Sequence, residues 1–204
     1  MLQEYKREDF NLKQDIMSQE YFMRVPTILG LHGAIETLSQ PLGADETGDK
    51  RVNYVLKYYA IAVKVGKAFN LHPLMILAQA SIESGWGTSQ LARQNNNFFG
   101  VTAFGKPNQY WTGEKRQSTT SKLWFRSYKT VEDGFSDFAR LISSYYKEAA
   151  KVSNDITAYA TKIAASPYIS EKNRDNRAKY RALIIQSGET ILNIIKKKFQ
   201  AQYN

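Results

Sequence analysis

Apolar residues recur at helical spacing from Tyr54 to Phe69, where Val55, Tyr58, Ala62, Val65 and Phe69 share a face and Asn70 offers a stop. Pro73 suits the first position of a second helix because its fixed φ is already helical. The stretch after it, LMILAQASIES, is apolar enough for the centre of a core, and Gly85 ends it. Between residues 86 and 128 the pattern changes: Asn, Gly and Thr become frequent, and Leu123, Phe125 and Ser127 alternate with Trp124, Arg126 and Tyr128. A period of two predicts strands, here a small hairpin. Thr130 followed by Glu132 and Asp133 marks a new helix N-terminus, and Val131, Phe135, Phe138, Ile142 and Tyr145 form its apolar stripe. Two more helices are predicted over 155–165 and 174–199. The last carries Tyr180, Leu183, Ile184, Ile191 and Ile195, then a Lys196-Lys197-Lys198 end that complements the helix dipole. The pattern therefore predicts a mainly α (α+β) domain with a β-hairpin.

The N-terminal quarter reads differently. Residues 11–24 are weakly helical, after which Pro26, Gly30, Gly33, Pro41 and Gly43 interrupt the pattern up to the polar GADETGDK. Residues 1–50 are read as an extension or linker that could bind a protein partner, ahead of one domain over 51–204. Charge divides at the same place: residues 1–50 hold five Lys and Arg against nine Asp and Glu, and the remainder holds 23 against ten. A basic body favours polyanions, whether nucleic acid, anionic lipid or an anionic cell wall, and a basic solvated surface is the plainer alternative.

Composition narrows the chemistry further. With 43% apolar and 13% aromatic residues in 204, the chain can bury one good core. The absence of cysteine excludes disulfides, thiol nucleophiles and thiolate metal sites. Two histidines, His32 and His72, are too few for a usual zinc cluster and are read as surface or cap residues, so no metal or cofactor is expected. No run of about 18 apolar residues predicts a membrane span, and the charged start MLQEYKREDF is unlike a signal peptide. That leaves the route of export open.

Glu83 is a candidate for catalysis, the alternative on position alone being a structural or merely exposed residue near a helix end. It falls in the last turn of the second helix, with Ile76, Gln79 and Ala80 on the same face. Desolvation and the negative end of the helix dipole both disfavour its charge, as a general acid working near neutral pH requires.

The stretch QASIESGWG at 79–87, followed by NNNFFGV at 95–101, resembles the glucosaminidase family of peptidoglycan hydrolases, which includes the flagellar muramidase-like domain. WTG at 111–113, FRSY at 125–128 and FSDFARLI at 135–142 follow in that family's order, so the resemblance covers about residues 54–185. It implies a lysozyme-like helical lobe with a hairpin lobe facing it, peptidoglycan glycan strands as substrate, action at the bacterial cell wall, and Glu83 as catalytic acid. Nucleic acid is not an expected partner, since no recognition motif accompanies the basic residues.

Family members carry a second carboxylate on the hairpin, often soon after a Thr in a T-x-E-like pattern. Here that region reads RQSTTSKLW, with no acid beside Thr119 or Thr120. Glu114 is the hairpin carboxylate available as partner, the alternative being a solvated turn residue. Asp137 matches another acidic family position and is a third candidate, the alternative being a helix-surface or Arg140-paired role. The 2-acetamido group of N-acetylglucosamine could instead attack the anomeric carbon, leaving Glu83 as the one protein acid. Trp86, Phe99, Trp111, Tyr168 and Tyr180 are candidates to hold sugar, because pyranose C–H faces pack on rings and phenols bond at the rim, the alternative for each being an ordinary core residue. Gln79 and Asn97, inside the matched elements, complete the set, Asn97 as a brace of its loop. A lytic transglycosylase or muramidase on the same fold, and a non-catalytic wall-binding module, are the competing functions.

Overall fold

The computed structural model describes residues 48–170 and 176–202. The weak helix expected over 11–24, and the extension as far as residue 47, lie outside them.

Helix α1 (Lys50–Phe69) begins with Asp49, whose side chain accepts from the Arg51 N–H, and ends at Asn70 in the left-handed region. It buries Tyr54, Val55, Tyr58, Tyr59, Ala62 and Val65, so the predicted stripe is its core face. Helix α2 (Pro73–Ser84) is capped by the His72 ring, and residues Pro73 to Ser81 are all buried. A helix apolar on every side has to be central; α2 packs against α1 and against the long C-terminal helix α7 (Arg177–Gln202). Helix α6 (Ile156–Ala165) closes on α7, and α4 (Val131–Tyr145) closes on α1. The Thr130–Asp133 capping box at the start of α4 is formed in both directions.

Strands β1 (Lys115–Gln117) and β2 (Trp124–Arg126) form an antiparallel hairpin, with Lys115 opposite Arg126 and Gln117 opposite Trp124. Thr102 adds an isolated bridge on the other edge of β2. The result is the expected helical lobe carrying a small hairpin lobe. Two short helices, α3 (Gln90–Asn95) and α5 (Lys147–Ala150), were not expected from the pattern. The stripe of α4 also ends differently: Tyr145 is exposed and Tyr146 turns inward instead, because the helix stops between them.

Gly134 joins the lobes. A Cβ there would stand 2.3 Å from the Asn96 carbonyl oxygen, so only glycine lets the first turn of α4 approach the loop after α3. Asn96 in turn donates to the Tyr128 and Lys129 carbonyls, tying that loop to the end of the hairpin.

Candidate active site

Glu83 stands one residue before the end of α2, partly exposed. Tyr180 reaches it from α7, its hydroxyl donating to Glu83 Oε1 at 2.8 Å. One turn back on α2, the fully buried Gln79 donates from Nε2 to the Tyr180 oxygen at 3.2 Å. Gln79 Oε1 accepts from the hydroxyl of Tyr159, which is buried on α6. Three packed helices thus contribute one chain of hydrogen bonds ending on a carboxylate. Burial, and then the Glu83 charge, push the Tyr180 and Tyr168 phenols well above their ordinary range, so both remain protonated. Burial alone does the same to Tyr159.

The chain leaves α2 through three successive residues of positive φ: Gly85 (59°), Trp86 (62°) and Gly87 (75°). The glycines adopt this at no steric cost, but Trp86 does not, and such a conformation persists only where its surroundings hold it. Here the Trp86 N–H donates to the Ser81 carbonyl at 2.8 Å, and the Gly87 N–H to Ser84 Oγ at 2.8 Å. The indole meets Tyr54 edge-on at 5.5 Å, with the Arg51 guanidinium 5.6 Å from its centroid. The ESGWG turn therefore fixes a half-buried aromatic ring three residues from Glu83.

The remaining aromatic candidates point inward. Phe99 stacks on Phe138 at 3.8 Å within the core. Tyr168 lies between Tyr146 and Tyr180 and is buried. Trp111 is buried beneath Arg126, its Nε1 donating to the Glu114 carbonyl. Asn97 is buried and braces its loop: its amide donates to the Val101 and Arg126 carbonyls and accepts from the Val101 N–H. Of the proposed sugar contacts, Trp86 and Tyr180 retain exposed surface; Gln79, Asn97, Phe99, Trp111 and Tyr168 are covered by protein.

The other two carboxylates separate just as clearly. Glu114 is exposed at the start of the hairpin, and its carbonyl also accepts from the Ser127 N–H. Asp137 has no exposed surface. Its Oδ2 accepts from Arg126 Nη1 at 2.6 Å and the Tyr128 hydroxyl at 2.8 Å, its Oδ1 from Asn108 Nδ2 and Arg140 Nε, each at 3.0 Å. Asp137 therefore does not face an open cleft; the geometry is that of the Arg140-paired alternative, extended by a second, fully buried arginine.

Sequence reading missed Tyr159, Arg126, Tyr128 and Asn108. Arg126 had a signal: it shares a strand phase with Tyr128, and a cation on an inward phase requires a buried partner. Tyr159 had none beyond its place on an apolar helix face. Among the described residues there is no cluster of three or more His, Asp or Glu suited to a metal, and no helix long and apolar enough to cross a membrane.

Comparison with known proteins gives the geometry a family. The model of the Glucosaminidase family, described as mannosyl-glycoprotein endo-beta-N-acetylglucosaminidase, matches residues 59–196. Peptidoglycan hydrolase FlgJ of Vibrio parahaemolyticus is 28% identical over 138 residues, 60% of this chain and 44% of that protein. Exo-glucosaminidase LytG of Bacillus subtilis is 28% identical over 142 residues, 66% of this chain and 50% of LytG. The match thus spans half the length of these relatives or less. The glycoside hydrolase domain of Salmonella typhimurium FlgJ superposes with a TM-score of 0.55 at 26% identity, over 76% of this chain and 98% of that domain. With its helical lobe, its hairpin and the ESGWG turn beside a tyrosine-held glutamate, this chain belongs to the glucosaminidase family.

Proposed function

We propose that this chain cleaves the glycan strands of bacterial peptidoglycan at the cell wall as an endo-β-N-acetylglucosaminidase, with Glu83 as general acid. The observation that carries the reading is Glu83 itself: a partly exposed carboxylate at the end of a buried helix, held by a phenol on one oxygen and adjoining a fixed tryptophan. Protonated Glu83 donates to the glycosidic oxygen as the anomeric centre develops oxocarbenium character, and the carboxylate so formed then activates water. Trp86 supplies a ring face for a sugar and Tyr180 a rim hydroxyl. Asp137 takes no part in bond making; it positions the hairpin through Arg126. The second group is either exposed Glu114 or the 2-acetamido group of the substrate. These differ in prediction: Glu114→Gln loses activity in the first case, and in the second it is tolerated while substrates lacking the acetamido group fail.

The test is digestion of purified peptidoglycan by the wild type and by Glu83→Gln, borohydride reduction of the products, and identification of the sugar ends by mass spectrometry. Reduced N-acetylglucosamine ends are expected, falling roughly a hundred- to ten-thousand-fold in a folded Glu83→Gln. Internal cuts appear as a broad ladder of fragment lengths, whereas cutting from chain ends, the mode that the name of LytG describes, releases short products from the start. A second reading, the lytic transglycosylase, draws on the lack of an acid beside Thr119 and Thr120, and would leave anhydromuramic ends. Full turnover by folded Glu83→Gln would refute the acid assignment, and retention on the wall without products would favour the binding module.

A further inference from the structure

The hydrogen bonds behind Glu83 have a direction. A carboxylate only accepts, so the Tyr180 hydroxyl spends its proton on Oε1 and must itself accept from Gln79 Nε2. That fixes the Gln79 amide with its oxygen towards α6, where Tyr159 donates to it. Were the amide turned over, Tyr180 would donate to Gln79 and present only lone pairs to the acid. A protonated Glu83 would then spend its proton on Tyr180 rather than on substrate. Tyr159 decides between the two arrangements: among the described residues Gln79 is the hydrogen-bond partner of its buried hydroxyl, so a turned amide would donate to that oxygen and leave the phenolic proton without an acceptor.

We infer that Tyr159 and Gln79 are positioning residues that polarise the chain towards Glu83, so that Tyr180 donates to Oε1 and does not take the proton that the acid must give to substrate. The inference rests on Glu83 being the acid. Neither residue touches substrate: both are without exposed surface and act through Tyr180. Coupling along such a chain strengthens each bond in turn, so losing the far donor weakens the near one. A hydrogen bond donated to a carboxylate favours its charged form. Weakening that bond therefore raises the pKa of the acid and moves the alkaline limb of the rate profile upward.

The experiment compares wild type, Tyr159→Phe and Glu83→Gln on soluble, uncrosslinked glycan strands, with kcat and KM taken across pH and folding checked by circular dichroism. Tyr159→Phe is expected to lower kcat roughly tenfold with KM within about twofold, and to raise the alkaline limb by about half a pH unit. A merely structural tyrosine would lower the melting temperature and leave the limb where it was; that result overturns the inference. If Tyr159→Phe does not fold, the wild type still decides. The side-chain amide protons of Gln79 should shift in NMR spectra as Glu83 titrates and stay still in Glu83→Gln, and amide signals that ignore the titration would also overturn it. Failure of the underlying reading looks different, since Glu83→Gln would then keep its activity.

Discussion

Burial holds the His72 imidazole neutral. Its Nδ1 accepts the Leu74 N–H at 3.2 Å to cap α2, which leaves the proton on Nε2, buried and without a hydrogen-bond partner among the described residues. Charging such a ring is costly, and its pKa is lowered from 6.5 to about 4. Because the folded value lies below the unfolded one, the unfolded chain takes up the proton first as pH falls. The stability that His72 contributes is complete above pH 6.5 and is lost between 6.5 and about 4. That loss amounts to about 3 kcal/mol. His72→Asn keeps an oxygen at the cap and removes the titration. Urea unfolding at pH 7 and pH 4.5 should therefore show a smaller drop in stability for His72→Asn than for wild type, and equal drops would remove His72 as the cause. The cap could be read from Pro73 alone, since a proline that opens a helix calls for a capping residue before it. Burial of the ring could not, because what covers it comes from elsewhere in the chain: the His72 N–H bonds Ser153, 81 residues on.

At the scale of elements, a hairpin of two three-residue strands is too small to hold its own shape. Arg126 anchors it. The guanidinium donates to Asp137 on α4 and to the Thr102 and Phe104 carbonyls, and lies 4.2 Å from the Trp111 ring centroid. Breaking a buried ion pair from one side strands the other charge, so Asp137→Ala should lose about 3–5 kcal/mol in chemical denaturation. Removing both charges in Arg126→Met with Asp137→Leu should restore part of that loss, because no fully buried charge is then left unpaired; Arg140, which also loses Asp137, keeps some contact with water. A change under about 1 kcal/mol for Asp137→Ala would deny the anchor, since exposed pairs are worth no more than that. This level was largely legible in the sequence wherever a stop or start residue bounded a long periodic run: Asn70, Pro73, Gly85 and Thr130 all stand at helix ends. Helices α3 and α5 were not, because six and four residues are too few to display a period. The site was half legible. Glu83 and Trp86 sit in one local motif, whereas Tyr180 meets Glu83 from 97 residues away and Tyr159 meets Gln79 from 80, distances across which no local pattern carries information.

For the molecule as a whole, charge bears on the proposed function, because the proposed substrate is an insoluble polyanion. Beyond residue 50 the chain has 23 basic against ten acidic residues. On and around the hairpin Lys106, Lys115, Arg116, Lys122 and Lys129 are exposed, with Glu114 the exposed acid among them. Exposed Trp124 lies beneath Lys115 Nζ at 5.1 Å, placing an apolar ring beside a cation on the same lobe. Such a surface concentrates the protein on a polyanion through fields that salt screens within about 10 Å at 0.1 M. Retention of Glu83→Gln on purified cell walls, read by sedimentation so that cutting does not confound it, should fall roughly three- to tenfold between 0.05 and 0.5 M salt. Lys115→Glu with Lys122→Glu should weaken retention at low salt and flatten its salt dependence, while activity on short soluble strands changes little. Retention indifferent to both salt and charge reversal would mean that the sugar contacts alone hold the wall, and that the basic surface serves solubility.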